Sequence, residues 1–248
     1  MRNPAVPPQP AMSGSAIRSE TAGAANSLGA TQLRLRTPHL MAAIRRFLPA
    51  DGGASIIDLG AGSGAFIHTA QKMGYRNIEG CDLALERVNA AASFGVTSLI
   101  HGDLFDVLGM QPDGSRDVVV SFDVLEHLNK QQVVDCAQQV YRVLRPSGRW
   151  LIHTVNGESP WFGRMRYGDF THQLAFTHHS LHEVLGQAGF SRVDFYEDAP
   201  AVHGFVSATR WVLWRALRGC LRFRMTIETG SFDRSAIFTQ NLFALGFK

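Results

Sequence analysis

The stretch Ile56-Ile57-Asp58-Leu59-Gly60-Ala61-Gly62-Ser63-Gly64 decides how the rest of the chain is read. A short apolar run, Ile56 to Leu59, passes directly into three glycines at alternate positions. Phe66, Ile67, Ala70 and Met73 then mark a helix that Gly74 closes. A buried strand that turns into a helix through glycines is the start of an α/β unit, because glycine reaches backbone conformations that side chains forbid and lets a ligand approach closely.

The alternation continues outward from that unit. Thr37-Pro38 predicts a helix start, an N-cap followed by proline at the first helical position, with Leu40, Met41, Ile44 and Leu48 on its apolar stripe. Beyond the loop, Asn77 to Cys81, Thr97 to Ile100, Asp117 to Phe122 and Trp150 to Val155 read as strands. Helices are predicted over Leu85 to Ser93, along Val133 to Leu144, and around Leu181 to Ala188 with Thr177 as cap. Arg145-Pro146-Ser147-Gly148 reads as a turn, and Val193 to Tyr196 and Ile237 to Phe247 as the last strands. The fold class is therefore α/β, a doubly wound, mostly parallel sheet with helices on both faces.

At 248 residues the chain suits one domain with extensions. Residues 1–30, rich in Pro, Ala, Gly and Ser, read as a disordered tail, and 31–248 as a single domain. A hydrophobic content of 45% with 18% charged residues is that of a globular protein. No apolar run reaches the roughly 18 residues of a membrane span, and no secretory leader is visible, so the expected location is cytoplasmic. Three scattered cysteines exclude a disulfide framework, and a net charge of +3 gives no case for nucleic acid.

In an open parallel sheet, ligands bind beyond the carboxyl ends of the strands. Asp82 ends the second predicted strand, where a carboxylate accepts hydrogen bonds from a ribose diol. Asp103 follows the third strand, placed for an adenine amino group, and Phe122 ends the fourth. Gly60-Ala61-Gly62-Ser63-Gly64-Ala65 gives G-x-G-x-G, and Ala65 also satisfies the looser dinucleotide pattern. Asp58 discriminates, because a carboxylate two residues before the loop repels a pyrophosphate but not a cation. A nicotinamide dehydrogenase is further disfavoured by the lack of an evident Tyr-x-x-x-Lys pair.

Asp58 to Gly64, Asp82, Gly102-Asp103-Leu104-Phe105, Asp117 to Phe122 with Asp123-Val124-Leu125-Glu126-His127-Leu128, and Leu144 to Arg149 together resemble the class I methyltransferases, in unbroken order over residues 54–156. The resemblance implies a Rossmann-like seven-stranded sheet of order 3-2-1-4-5-7-6 with the last strand antiparallel. It implies S-adenosylmethionine as cofactor, lined by Asp58, Gly60, Ala61, Gly62, Asp82, Leu83, Asp103, Leu104 and Phe122. A non-catalytic protein that keeps the fold as a scaffold is the competing reading.

Methyl transfer to oxygen benefits from a base that takes the acceptor's proton. His127, just past the fourth strand, is the first candidate, although Glu126-His127 reads equally well as a cap on the next turn. Residues 157–177, aromatic and arginine-bearing, read as an acceptor lid, in which Asp169 and His172 form an orienter-base pair if helical. Tyr167 to His172 is similar to a segment of bacterial methyltransferases from glycan and O-antigen clusters, which implies a sugar hydroxyl on a glycan or lipid-linked saccharide. A small phenol or quinone precursor is the alternative. His178 and His182 share a helix face but read as surface histidines, with no metal site expected.

Gly204 to Arg224 predicts an inserted amphipathic helix with Arg215, Arg218 and Arg222 on one face beside Trp211. Its arginines either meet anionic headgroups at a membrane interface, or the helix packs on the sheet or in a homodimer.

Overall fold

The computed structural model describes residues 36–248, so the tail expected over residues 1–30 lies outside the described residues. A first helix, α1, is under way at residue 36 and runs to 47, which places Thr37 inside the helix instead of at its cap. Strand β1 (Ile56–Leu59) leads through the glycine loop into α2 (Ala65–Lys72), and β2 (Ile78–Asp82), α3 (Leu85–Ser93) and β3 (Leu99–His101) follow. Next come α4 (Leu104–Met110), β4 (Arg116–Phe122), a 3-10 turn (Leu125–His127), α5 (Lys130–Val143) and β5 (Leu144–Val155). The C-terminal part holds α6 (Phe162–Gly168), α7 (His178–Gln187), β6 (Arg192–Glu197), α8 (Phe205–Thr229) and β7 (Asn241–Phe247).

The seven strands form one sheet of order β3-β2-β1-β4-β5-β7-β6. Pairing is parallel from β3 to β5, and β7 runs antiparallel to both β5 and β6. The α/β class and strand order expected from the sequence are thus the observed ones. All four residues of β1 are buried, as a central strand covered on both faces requires. One face packs Ile57, Leu59, Val119 and Ile152 against α5 and α7, and the other packs Ile56, Val118, Val120 and Leu151 against α1 and α2.

Three local expectations are corrected. The turn at Arg145 to Gly148 is a bulge inside β5, where pairing jumps from Arg116–Leu144 to Val118–Arg149 and Ser147 takes φ 66°. Residues 237–240 do not extend β7; Asn156 Nδ2 donates to the Ile237 and Thr239 carbonyls, 2.8 Å each, and turns that segment across the end of β5. Helix α4 begins in a stretch to which the sequence reading assigned no element, with Asp103 as its cap.

The reversal from β1 outward in both directions, β2 on one side and β4 on the other, is the topological switch that opens a crevice above the strand ends. Everything described next lies there.

Candidate active site

Gly60, Gly62 and Gly64 all take positive φ, 67°, 57° and 74°, so left-handed residues alternate with Ala61 and Ser63 along the loop. Asp82 holds it in place. Its Oδ2 accepts from Gly62 N at 2.8 Å and its Oδ1 from Ala84 N at 2.9 Å. Each oxygen keeps a second lone pair, so the carboxylate remains able to receive a diol.

The crevice has two lobes of about 500 and 490 Å³ that share Gly60, Arg87, Asp123 and His127. Asp58, Ala61, Gly62 and Phe122 line the first, and Asp82, Leu83, Asp103 and Leu104 line the second. Every expected cofactor residue is therefore brought to one crevice. Asp103 also caps α4, its Oδ1 accepting from Phe105 N at 2.8 Å. Leu83 stands at the rim of the second lobe, 69% exposed.

Asp58 carries the charge test. Its carboxyl is fully buried, and its Oδ1 has no hydrogen-bond partner. Burial, and next the Asp82 charge, pushes it well above the ordinary carboxylate range. An orphaned buried acceptor on a crevice wall is costly unless a donor or cation meets it. A ligand ammonium does so, and with the open glycine cradle this fits S-adenosylmethionine to the residues present.

A buried charge cluster behind the crevice was not legible in the sequence. Asp123, a non-glycine residue at φ 56°, accepts from Arg36 Nη2 at 3.1 Å and pairs with His153 Nδ1 at 2.6 Å. His153 is buried in β5, and its Nε2 faces Asp198 Oδ2 at 3.2 Å. Burial alone lowers an imidazole, but the two carboxylates outweigh it and raise His153 to about 10. Asp123 is held well below its ordinary value by the His153 charge and by Arg36, against the opposing effect of burial. The His153 ring lies on Phe122, with centroids 5.2 Å apart and planes at 21°. Positively charged His153 thus fixes both the floor of the first lobe and the bend that follows β4. Arg36 and Leu40 of α1 close the lobe from above. A histidine at the carboxyl end of a central strand was the only available signal, and it does not reveal two partners 30 and 45 residues away.

His127 faces both lobes. Its Nδ1 is 2.9 Å from Thr171 Oγ1, and that hydroxyl donates to Asp169 Oδ1 at 2.6 Å. Thr171 has one hydrogen, spent on Asp169, so His127 Nδ1 carries the proton and Nε2 the lone pair. Burial first, and then the neighbouring His172, lowers the His127 pKa, with Asp169 partly offsetting them.

Asp169 and His172 are near each other but are not an i, i+3 helical pair. Asp169 follows α6 with extended backbone, φ −116° and ψ 123°, which turns its carboxylate onto Thr171 N at 2.9 Å and Thr171 Oγ1. His172 Nδ1 donates to Met165 O at 2.9 Å, and its ring stands edge-on to His127 with centroids 4.7 Å apart. Asp169 lines the second lobe, whereas His172 lines neither. The acid's hydrogen-bond chain ends on His127, so Thr171 is the residue that sequence reading missed. The segment after α6 is stitched to the same turn: Gln173 N and Leu174 N donate to Glu126 O, and Gln173 Nε2 donates to His127 O at 2.9 Å.

A seven-stranded sheet with β7 reversed, a glycine loop after β1 and acids at the ends of β1, β2 and before α4 defines an S-adenosylmethionine-binding methyltransferase fold. A family model described as "Methyltransferase domain" matches residues 33–194, and the chain belongs to that family. It is 32% identical over 145 residues to a probable S-adenosylmethionine-dependent methyltransferase of Mycolicibacterium smegmatis, a match covering 57% of this chain and 54% of that protein. The chain thus matches about half the length of that curated relative.

Among solved structures, a SAM-dependent methyltransferase from Archaeoglobus fulgidus superposes with a TM-score of 0.64 at 20% identity, over 87% of this chain and 94% of that one. A putative methyltransferase in complex with the Haloferax volcanii Trm112 activator gives 0.64 at 18%, over 91% and 96%. Geranyl diphosphate methyltransferase in complex with SAM gives 0.57 at 14%, over 86% and 85%. These likenesses establish the fold. The family match is what makes the chain a member of the methyltransferase-domain family.

Proposed function

We propose that the acceptor is a sugar hydroxyl of a glycan or lipid-linked saccharide, and that His127 takes its proton. The observation that carries this is the chain Asp169–Thr171–His127, which engages Nδ1 and leaves the lone pair on Nε2 of a residue that lines the crevice. S-adenosylmethionine supplies an electrophilic methyl group on a sulfonium. An incoming hydroxyl becomes a competent nucleophile as His127 Nε2 accepts its proton, and Asp169, through Thr171, favours the imidazolium that results. Burial and the neighbouring His172 lower the His127 pKa, the direction that favours a neutral base.

A polyhydroxyl acceptor is supported by the polar wall beside His127, where Gln132, Asp169, Thr171 and Gln173 offer donors and acceptors. The similarity of Tyr167 to His172 to glycan-cluster methyltransferases points the same way. The test is incubation of the purified protein with S-adenosylmethionine and a panel of saccharides, lipid-linked saccharides and phenols, with products read by mass. A gain of one methyl on a saccharide is expected, and methylation confined to the phenols would overturn the proposal.

A further inference from the structure

Helix α8 is about 37 Å long at 1.5 Å per residue, and it meets the body along one narrow stripe. On that stripe Arg218 Nε lies 3.0 Å from Glu197 Oε1, and Arg222 donates to the Asp233, Arg234 and Ala236 carbonyls. Two of the three arginines that share the predicted face are therefore turned toward the body, and the third, Arg215, lies over the Trp211 ring at 4.8 Å. Ser207 is the helix's only buried residue. The opposite face is apolar and uncovered among the described residues: Phe205 is 88% exposed, Leu213 65%, Phe223 67% and Ile227 68%.

We propose that this face seats on an anionic lipid surface, with the helix lying in the plane of the interface. Its apolar strip enters the headgroup and acyl boundary, and the exposed Arg210, Arg215 and Arg224 on its flanks meet lipid phosphates. Charge selects this occupant over a second copy of the chain. The outward flanks of the helix carry three arginines, Arg210, Arg215 and Arg224, against one acidic residue, Glu228 at its end, so a two-fold contact would set arginine rims against each other. The helix is not long and apolar enough to cross the bilayer, which leaves it lying on the surface. A lipid-linked acceptor would then be presented to the crevice from the surface on which the enzyme rests.

Flotation of the full chain tests this without any acceptor, so its outcome is separate from that of the methylation assay. The probes are vesicles of phosphatidylcholine alone and of phosphatidylcholine with phosphatidylglycerol. Flotation with the anionic vesicles and not the neutral ones is expected. L213D/F223D changes two exposed side chains, leaves the melting temperature in place, and lowers the bound fraction by roughly tenfold or more. R210Q/R215Q/R224Q weakens binding and flattens its salt dependence, whereas R218Q, aimed at Glu197, leaves lipid binding unchanged. Failure of the wild type to float on anionic vesicles would overturn the proposal. So would unchanged flotation of L213D/F223D, or a solution dimer that this variant dissolves in the absence of lipid.

Discussion

Replacing Gly60 by alanine separates the two tasks of the cofactor loop when it is set beside Gly62→Ala. At Gly60 an added Cβ falls 2.5 Å from Val124 Cγ2, a separation at which something must shift. The backbone there has φ 67°, costing a side chain about 1–2 kcal/mol, and forcing apart a packed contact adds about 1–3 kcal/mol. The loss is then about 2–5 kcal/mol, because Val124 is buried and begins the turn that carries His127. At Gly62 the same methyl meets nothing within 4 Å. Only the left-handed penalty of about 1–2 kcal/mol applies to its stability, but the methyl enters crevice space that a ligand would use. Urea unfolding and calorimetric titration with S-adenosylmethionine read both effects. Gly60→Ala should lower the urea midpoint by about 1 to 2 M, clearly more than Gly62→Ala does. Gly62→Ala, still folded, should bind the cofactor at least about tenfold more weakly. Equal destabilisation by the two would refute the claim that Val124 packs on the loop, and full affinity in Gly62→Ala would refute the cradle.

The remaining predictions concern charge. His127→Ala should lower kcat about 100-fold with the cofactor Kd unchanged, and Thr171→Val about tenfold while moving the acid limb of the kcat/KM profile; an unmoved profile would remove Thr171 from the chain. In the wild type that limb should fall below the ordinary imidazole value of 6.5. Because His153 is raised to about 10, its contribution is complete below pH 6.5 and is lost as pH rises through 10, on the order of a few kcal/mol. Asp123, held low, adds stability above its ordinary value of 3.8 that acid removes; denaturant titrations of wild type and His153→Gln should show that slope between pH 7 and 10 in the wild type alone. Glu126 is buried and pushed up to about 7 by desolvation and then by Asp123, so its ionisation penalty grows as pH rises from 4.5 through 7. Glu126→Gln keeps an acceptor for Thr154 Oγ1 and should equal or exceed wild-type stability at pH 8, and a clear loss there would contradict the burial argument.

The α/β class and the cofactor side were legible in the chain because they depend on local pattern, whereas the strand order followed only from the resemblance to class I methyltransferases. Ile56 to Leu59 and Asp117 to Phe122 are unbroken buried runs, and the residues following each strand fall where a parallel sheet gathers ligands. The turn at Arg145 to Gly148 was misread because a bulge and a turn share the same left-handed, small-residue chemistry. Helix α4 was missed because Leu104 to Met110 is too short to show a helical period. The Asp169–His172 pairing assumed a helix that had already ended at Gly168.

The sequence by itself determined the sheet, the glycine cradle and the acids at the strand ends, since each follows from residues adjacent in the chain or set by the period of one element. Only the tertiary structure decided that Asp58 is an orphaned buried acid and that His153 stands charged between Asp123 and Asp198. It also decided that Thr171 fixes the His127 tautomer and that α8 turns its apolar side outward. Each of these depends on groups from distant segments meeting in a low-dielectric or solvent-facing place. Burial and charge pairing arise only once the whole chain is packed, and no local periodicity encodes them.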